Sequence, residues 1–368
     1  MPLDIYTPLD LYRIMFDPRQ TGSTSQWLDM FFPVMNTFFS TQEEIAFSRI
    51  NSTRRIAPFM LPNEAGKPIY RRDGERIESF KPGYTKPKDA IRPSEMLSLM
   101  PGELVRRLAL MTPQARYNSE VLRIVQFQRN AIQRLYDFMA AKAILNGSLI
   151  VNYATASGGP GMSVTIDFGR DAGHTVTLGV GNRWGDAGVN IFQTIQTWAD
   201  TVANAEFGGS VTDVILGSAA SVPFMADVSA STGSLKDKMD MNFRGSEEVA
   251  IQRGIIATDP LNPFTWLGRL SAGINVWRYS GPLSRFQNDD GTFTSIMDPR
   301  DVLLASRAVD GVRAFGAILD TAANLEVTDI FTKMWDQEDP SARFIMSQSA
   351  PLMIPVNPNC TFRARVIA

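Results

Sequence analysis

Cysteine and histidine are almost missing: the 368 residues hold one of each, Cys360 and His174. One cysteine forbids an internal disulfide, and the two residues together cannot assemble a zinc cage of cysteines and histidines. Any Ser-His-Asp or Cys-His centre would have to use His174. That residue follows the turn-like Asp171-Ala172-Gly173 and opens the alternating run His174 to Leu178, so it reads as a strand-edge histidine. A charge excess of either sign is also missing. Lys+Arg 36 against Asp+Glu 38 leaves −2, and composition alone points to no polyanionic partner. No apolar run approaches the roughly 18 residues of a membrane span. Met1 to Asp17 carries acids early and lacks a basic start, which is not the pattern of a signal peptide. Cysteine poverty fits the expectation of a chain made in a reducing cytoplasm.

Chemistry-bearing motifs are equally scarce. There is no Gly-Lys-Ser/Thr of a phosphate loop and no Gly-x-Ser-x-Gly elbow. The nearest decoy is Leu178-Gly179-Val180-Gly181-Asn182-Arg183-Trp184-Gly185, between an expected strand and helix. Its third glycine falls one place late, and the following strand, Val211 to Leu216, ends in Gly217-Ser218 with no acid for a ribose hydroxyl. Asp289-Asp290-Gly291 reads as a hairpin turn, and Asp336, Glu338 and Asp339 as a polar loop before Pro340. Neither has the ligand spacing of a calcium loop. No catalytic residue, metal site or cofactor is expected.

What is present is a globular composition, 44% hydrophobic and 20% charged, long enough for two or three units. Residues 1–52 read as an aromatic arm broken by Pro18, Gly22 and Pro33, densest from Trp27 to Phe32. From 53 to 92 the balance shifts, with ten basic against five acidic residues, net +5. Inside this stretch Asp73-Gly74 suits a two-residue hairpin turn. That register sets Arg72 opposite Glu75 and Arg71 opposite Arg76, a like-charge pair. An isolated two-stranded ribbon is marginal in water, so its ordering energy is expected from another subunit. Replacing Asn63 to Phe80 is accordingly expected to spare the fold.

A helical stretch is expected at Ser94 to Ala109, followed by Thr112-Pro113, an N-cap with proline in the first turn. Tyr117, Val121, Ile124, Val125, Ile132, Leu135, Met139 and Ala143 keep helical spacing to Asn146-Gly147, so one helix is predicted over 113–146, roughly 50 Å long. Gln128 interrupts the apolar stripe, and the opposite face holds Arg123, Gln126, Asn130, Gln133, Arg134 and Asp137. Val164 to Phe168 and His174 to Leu178 alternate about a five-residue turn and read as a second hairpin. Helices are expected at 187–206 and 218–228, and strands at Val211 to Leu216, Ile274 to Tyr279, Val302 to Ala305, Phe344 to Val356 and Cys360 to Ile367. The class is α+β.

Several strings, in order along nearly the whole chain, resemble the phage major capsid protein E family, the head proteins of lambda-type tailed phages. They are Phe16-Asp17-Pro18 with the Trp27 to Pro33 cluster, Pro82-Gly83-Tyr84-Thr85-Lys86-Pro87-Lys88, the helix end at Asn146-Gly147, Val164 to Arg170, and Gln348-Ser349-Ala350-Pro351-Leu352-Met353. The resemblance implies the Hong Kong 97-like capsid fold. Its parts would be an N-terminal arm (1–52), an extended loop (53–92), a peripheral domain (93–183) with spine helix 113–146, an axial domain (184–320), and C-terminal strands returning to the peripheral domain (321–368).

It also implies a non-enzymatic subunit of an icosahedral phage head around double-stranded DNA. The partners would be copies of itself in hexamers and pentamers, with a portal, a scaffold or protease and a decoration protein. DNA contact would be non-specific and no membrane would be involved. The shell would be built in the host cytoplasm and end in the virion. Arg71, Arg72, Glu75, Arg76, Tyr84 and Lys86 are the candidate inter-subunit contacts. Some shells of this fold join an extended-loop lysine to an asparagine, for which Lys67 or Lys81 and Asn357 or Asn359 would serve; the lambda branch implies decoration proteins instead. Two other readings stand beside this one, a host encapsulin-type shell and a cytoplasmic α+β hydrolase. Residues 229–300 match no part of the family pattern.

Overall fold

The structure is a computed structural model that describes residues 6–15, 26–42, 44–49, 76–94, 112–154, 160–230, 232–235, 238–240, 262–270, 273–287, 291–324, 327–339 and 341–368. Its longest element is the helix Pro113–Asn146, with the bounds its caps dictate. Thr112 Oγ1 accepts the Ala115 N–H at 3.3 Å, and Gly147 closes the other end at φ 66°, donating to the Ala143 carbonyl. Only glycine fits there without strain, and a Cβ would also lie 2.6 Å from that of Arg170. The predicted stripe is buried or half-buried throughout.

Asp137, assigned by its spacing to the polar face, is instead buried, because the short helix Gln26–Phe31 lies over it. A helical wheel shows which residues share a face but not what arrives from elsewhere in the chain to cover them. Arg123, Asn130 and Arg134 do remain exposed.

A seven-stranded mixed sheet runs in the order Thr175–Thr177, Thr361–Arg365, Asp301–Ala305, Asp213–Gly217, Asn275–Tyr279, Phe264–Leu270 and Met239–Asp240. Its middle strands, Asp213-Val-Ile-Leu-Gly217 and Asp301-Val-Leu-Leu-Ala305, are continuous apolar runs because both faces are covered. One face sends Ile215, Trp277, Leu303 and Ala305 into the core around the long helix. The other sends Val214, Leu216, Val276, Val302, Leu304 and Phe362 against the helices Ile191–Asn204 and Ser221–Ser229, with Trp184, Trp198 and Phe224. The terminal strand Thr361–Arg365 therefore shares a sheet with strands of the 184–320 segment. Pro351–Pro355 and Gly311–Phe315 pair with each other in the three-stranded sheet of the long-helix core.

The hairpin expected from Val164–Phe168 and His174–Leu178 does not form. Pro160–Asp167 pairs with Ser148–Ala154, Leu149 opposite Ile166, while Thr175–Thr177 runs parallel to Arg363–Arg365. In the intervening turn Arg170 is sunk beneath the long helix, donating to the Ile144 carbonyl at 3.1 Å, which directs the chain away from its first strand. Alternation marks a strand and its faces but not its partner. Arg285–Gln287 and Phe293–Ser295, on either side of the acid-rich stretch, pair antiparallel, while Asp289 and Asp290 lie outside the described residues. Ser94 to Ala109 lies, after its first residue, outside the described residues.

Candidate inter-subunit site

The base of the basic segment is a stem of two antiparallel strands, Ile45–Arg49 and Arg76–Phe80, with Ile45 opposite Phe80 and Arg49 opposite Arg76. Ile45 is buried, and the Phe80 ring meets Phe168 edge-on with centroids 5.9 Å apart, so the stem is rooted in the main core. Arg71, Arg72 and Glu75 lie outside the described residues, as do the Asp73-Gly74 turn and the Arg71–Arg76 register; Arg76 is described through its strand alone. The first strand was missed in the arm, although Ile45 and Phe47 alternate, because its partner begins 27 residues after its end. One expectation changes: replacing Asn63 to Phe80 would cut a strand of the stem and remove a core contact.

After the stem the chain returns along the body and is fastened at each step. Pro82 is buried, and a Cβ at Gly83 would come 3.0 Å from Val151. The Tyr84 hydroxyl donates to Gln348 Oε1 at 2.7 Å and accepts the Leu319 N–H at 3.2 Å. Burial raises its pKa, so it stays a neutral hydroxyl. Thr85 and Ser349 exchange two backbone bonds, and Lys88–Ile91 pairs with Arg343–Met346. Of the two described side chains among the candidate contacts, Tyr84 is thus hydrogen-bonded within its own chain, while Lys86 is exposed with Nζ 4.6 Å above the Tyr84 ring.

Beneath this limb lies a buried polar cluster. Gln128, fully buried on the long helix, donates from Nε2 to Asp89 Oδ2 at 2.7 Å and to the Ile345 carbonyl at 3.2 Å, and its Oε1 accepts from Ser347 Oγ at 2.7 Å. Ser347 Oγ also lies 3.0 Å from Thr332 Oγ1. About two turns further along the helix, the Tyr136 hydroxyl and Ser349 Oγ stand 2.6 Å apart, each within reach of the Asp329 carbonyl. The interruption of the apolar stripe is thus the point at which helix, return limb and the Ala342–Gln348 strand are joined.

The arm is fixed to the same helix. Asp137 Oδ1 accepts the Leu28 N–H at 3.0 Å, and the Gln26 and Trp27 amides also favour its carboxylate form. At the other end of that short helix Arg313 donates to the Phe32 carbonyl at 2.7 Å and to Asp29 at 3.1 Å.

Groups with catalytic potential are used structurally. His174 is buried, with Nδ1 2.9 Å from the Thr361 carbonyl and its ring against Phe362. In the glycine-rich decoy, the Gly181 and Arg183 amides both donate to Asp186 Oδ2, at 2.9 and 3.0 Å, and the helix begins only at Ile191 behind the Asn190 cap. A cleft of about 370 Å³ at the end of the long helix is lined by Lys142, Asn146, Asp298, Asp301 and Arg363. Its charges are mutually engaged: Arg363 and Arg365 both bind the buried Asp301, and Lys142 donates to the Ile296 carbonyl at 2.8 Å. Among the described residues no group of three or more His, Cys, Asp or Glu is placed to hold a metal ion, and no helix is long and apolar enough to cross a membrane.

The fold is shared with solved structures. Over 99% of this chain and 100% of the other, at 19% identity and a TM-score of 0.68, it matches the capsid protein of a prophage of E. coli CFT073. The α+β scaffold is that of a capsid fold of the Hong Kong 97-like type. Residues 23–366 match the family described as phage major capsid protein E, and the chain belongs to that family. It is similar to the major capsid protein of Escherichia phage N15, 26% identical over 97% of this chain and 98% of that one. It is also similar to the major capsid protein of Escherichia phage lambda, 24% identical over 94% and 93%. The function is that of a major capsid protein, self-assembling into the head shell of a tailed phage and found in the virion capsid; the encapsulin and hydrolase readings give way to it.

Proposed function

We propose that the segment between the two stem strands is the clamp by which one subunit of the shell holds the next. The observation that carries this reading is the stem itself. Arg49 and Arg76 are paired neighbours rooted in the core, so both ends of the 26-residue stretch between them leave the body at one point. Its setting in a segment of net charge +5 favours an acidic or amide-rich surface on the neighbour over packing on its own subunit. Arg71, Arg72, Glu75 and Arg76 are the contact residues proposed there, with Lys86 at the foot of the loop.

In this reading residues 1–44 form the arm, and the extended loop runs from Ile45 through the return limb to Arg92. The long helix is the spine of a peripheral domain, and the seven-stranded sheet with its two helices forms the axial domain, joined by the terminal strand. Copies would gather as hexamers and pentamers. A portal, a scaffold or protease and possible decoration proteins would be further partners, double-stranded DNA would be touched without sequence preference, and assembly would take place in the host cytoplasm. Negative-stain microscopy of the expressed chain and of Arg71→Glu/Arg76→Glu tests the clamp. Closed shells from the parent chain and fewer from the variant are expected, the deficit being larger at low salt where exposed pairs are least screened. Equal yields of shells would overturn it.

A further inference from the structure

The arm helix Gln26–Phe31 has only six residues, too few to persist unaided, and it is gripped at both ends by charged side chains from other elements. Asp137 on the spine helix accepts the Leu28 N–H at 3.0 Å with the Gln26 and Trp27 amides also directed at its carboxylate, and Arg313 on Gly311–Phe315 donates to the Phe32 carbonyl and the Asp29 carboxylate. Between these grips Trp27 is fully buried, its ring edge-on to Phe264 and Tyr279 at 5.2 Å each. That apolar seat is indifferent to pH. The Asp137 grip is not, since a carboxyl 7% exposed must be either neutral or a desolvated anion.

We infer that Asp137 and Arg313 form a latch on the arm, and that proton uptake at Asp137 sets how firmly the arm is held on the spine helix. Beyond the latch the arm runs through Val34–Asn36 and the short strand Thr37–Phe39, which pairs parallel with Gly311–Phe315, before it reaches Ile45–Arg49. This goes beyond the clamp reading and does not depend on it.

The groups facing Asp137 pull both ways, and burial prevails. Burial is the largest influence and pushes its carboxyl up to about 7; the three amides draw it down, and Asp29 on the arm helix pushes it up again. Tyr279, across the pocket on Asn275–Tyr279, is raised by burial and stays neutral, as does Tyr136 beside it on the helix. Arg313, whose charge is felt from the far end of the arm helix, stays cationic. An undocked carboxyl titrates near its ordinary 3.8. Docking is therefore tightest below that value, loosens roughly tenfold per pH unit between the two values, and levels off above the higher one.

Hydrogen exchange of the full-length unassembled chain at pH 5, 6, 7 and 8, corrected for the intrinsic chemical rate, tests this. The opening constant of residues 26–32 should rise by about 10- to 100-fold from pH 5 to 7 and little more by pH 8, with the middle of the spine helix unchanged. Asp137→Asn, which keeps an acceptor and removes the charge, should flatten the dependence. Arg313→Gln should raise opening at every pH and leave the slope intact. Protection of 26–32 that is independent of pH in the parent chain, or an unchanged slope in Asp137→Asn, would overturn the latch. If Asp137→Asn does not fold, the parent series and Arg313→Gln decide the matter alone.

Discussion

Gln128 on the spine helix donates to the Asp89 carboxylate on the return limb at 2.7 Å, with Gln128 fully buried and its partner half-buried. The amide's remaining capacity goes to the Ile345 carbonyl and Ser347. Three segments far apart in sequence therefore meet on one side chain. The return limb is held by specific hydrogen bonds rather than by area alone.

Gln128→Leu keeps the volume but leaves Asp89 and Ser347 without this partner. A loss of about 1–3 kcal/mol is expected, because the half-buried Asp89, the Ile345 carbonyl and the buried Ser347 hydroxyl each lose a hydrogen-bond partner. Urea unfolding followed by far-UV circular dichroism measures it, and a change below about 0.5 kcal/mol would show that water replaces the amide.

Gly147→Ala meets two obstacles, a left-handed φ of 66° and a Cβ 2.6 Å from that of Arg170. The backbone alone costs about 1–2 kcal/mol, and the contact adds to it. Arg170→Ala retains that Cβ but removes the Nε and Cδ that would lie 2.9 and 3.1 Å from the new methyl group. The double variant should accordingly be more stable than the two single losses combined, a coupling that a double-mutant cycle of unfolding free energies reads directly.

The caps of the spine helix were fully legible, since Thr112-Pro113 and Asn146-Gly147 are local signals acting within a turn. The doubly buried strands at 213–217 and 301–305 were legible for the same reason, as short apolar runs between breakers. Pairing was not. Ile45–Arg49 finds Arg76–Phe80, and Thr175–Thr177 finds Arg363–Arg365, through the packing of whole segments that no short window contains. Asp137 shows the same limit at a single residue: its spacing says polar face, and a helix more than a hundred residues earlier buries it. At the candidate site the charge shift is visible in the sequence and the Asp73-Gly74 turn lies outside the described residues, whereas the stem and the inward use of Tyr84 were not legible.

His174→Ala should lower thermal stability by a few degrees, since a buried ring and its bond to Thr361 are lost, in keeping with about 1–2 kcal/mol. Shells should still close, because no chemistry passes through that ring. Calorimetry and electron microscopy report the two separately; a normally stable variant that cannot assemble would give His174 a role beyond packing.

Covalent cross-linking between subunits is not expected. Asn359 is buried, its amide donating to Asp171 at 2.9 Å and to the Glu206 carbonyl at 3.1 Å, and the Asn357 amide donates to the Ala308 carbonyl at 2.9 Å. Mature heads boiled in detergent should run as single chains on a gel. A ladder of higher-mass species would contradict this.

The clamp is tested most directly by removing the loop while leaving its stem. Replacing Ser52 to Gly74 with a short Gly/Ser linker keeps Ile45–Arg49 and Arg76–Phe80, the Phe80–Phe168 contact and the return limb. Unfolding midpoint and sedimentation of this variant are the quantities to measure beside the parent. A cooperative fold close to the parent's in stability, sedimenting as small species with no closed shells, is the predicted result; normal shells from the loopless chain would contradict it.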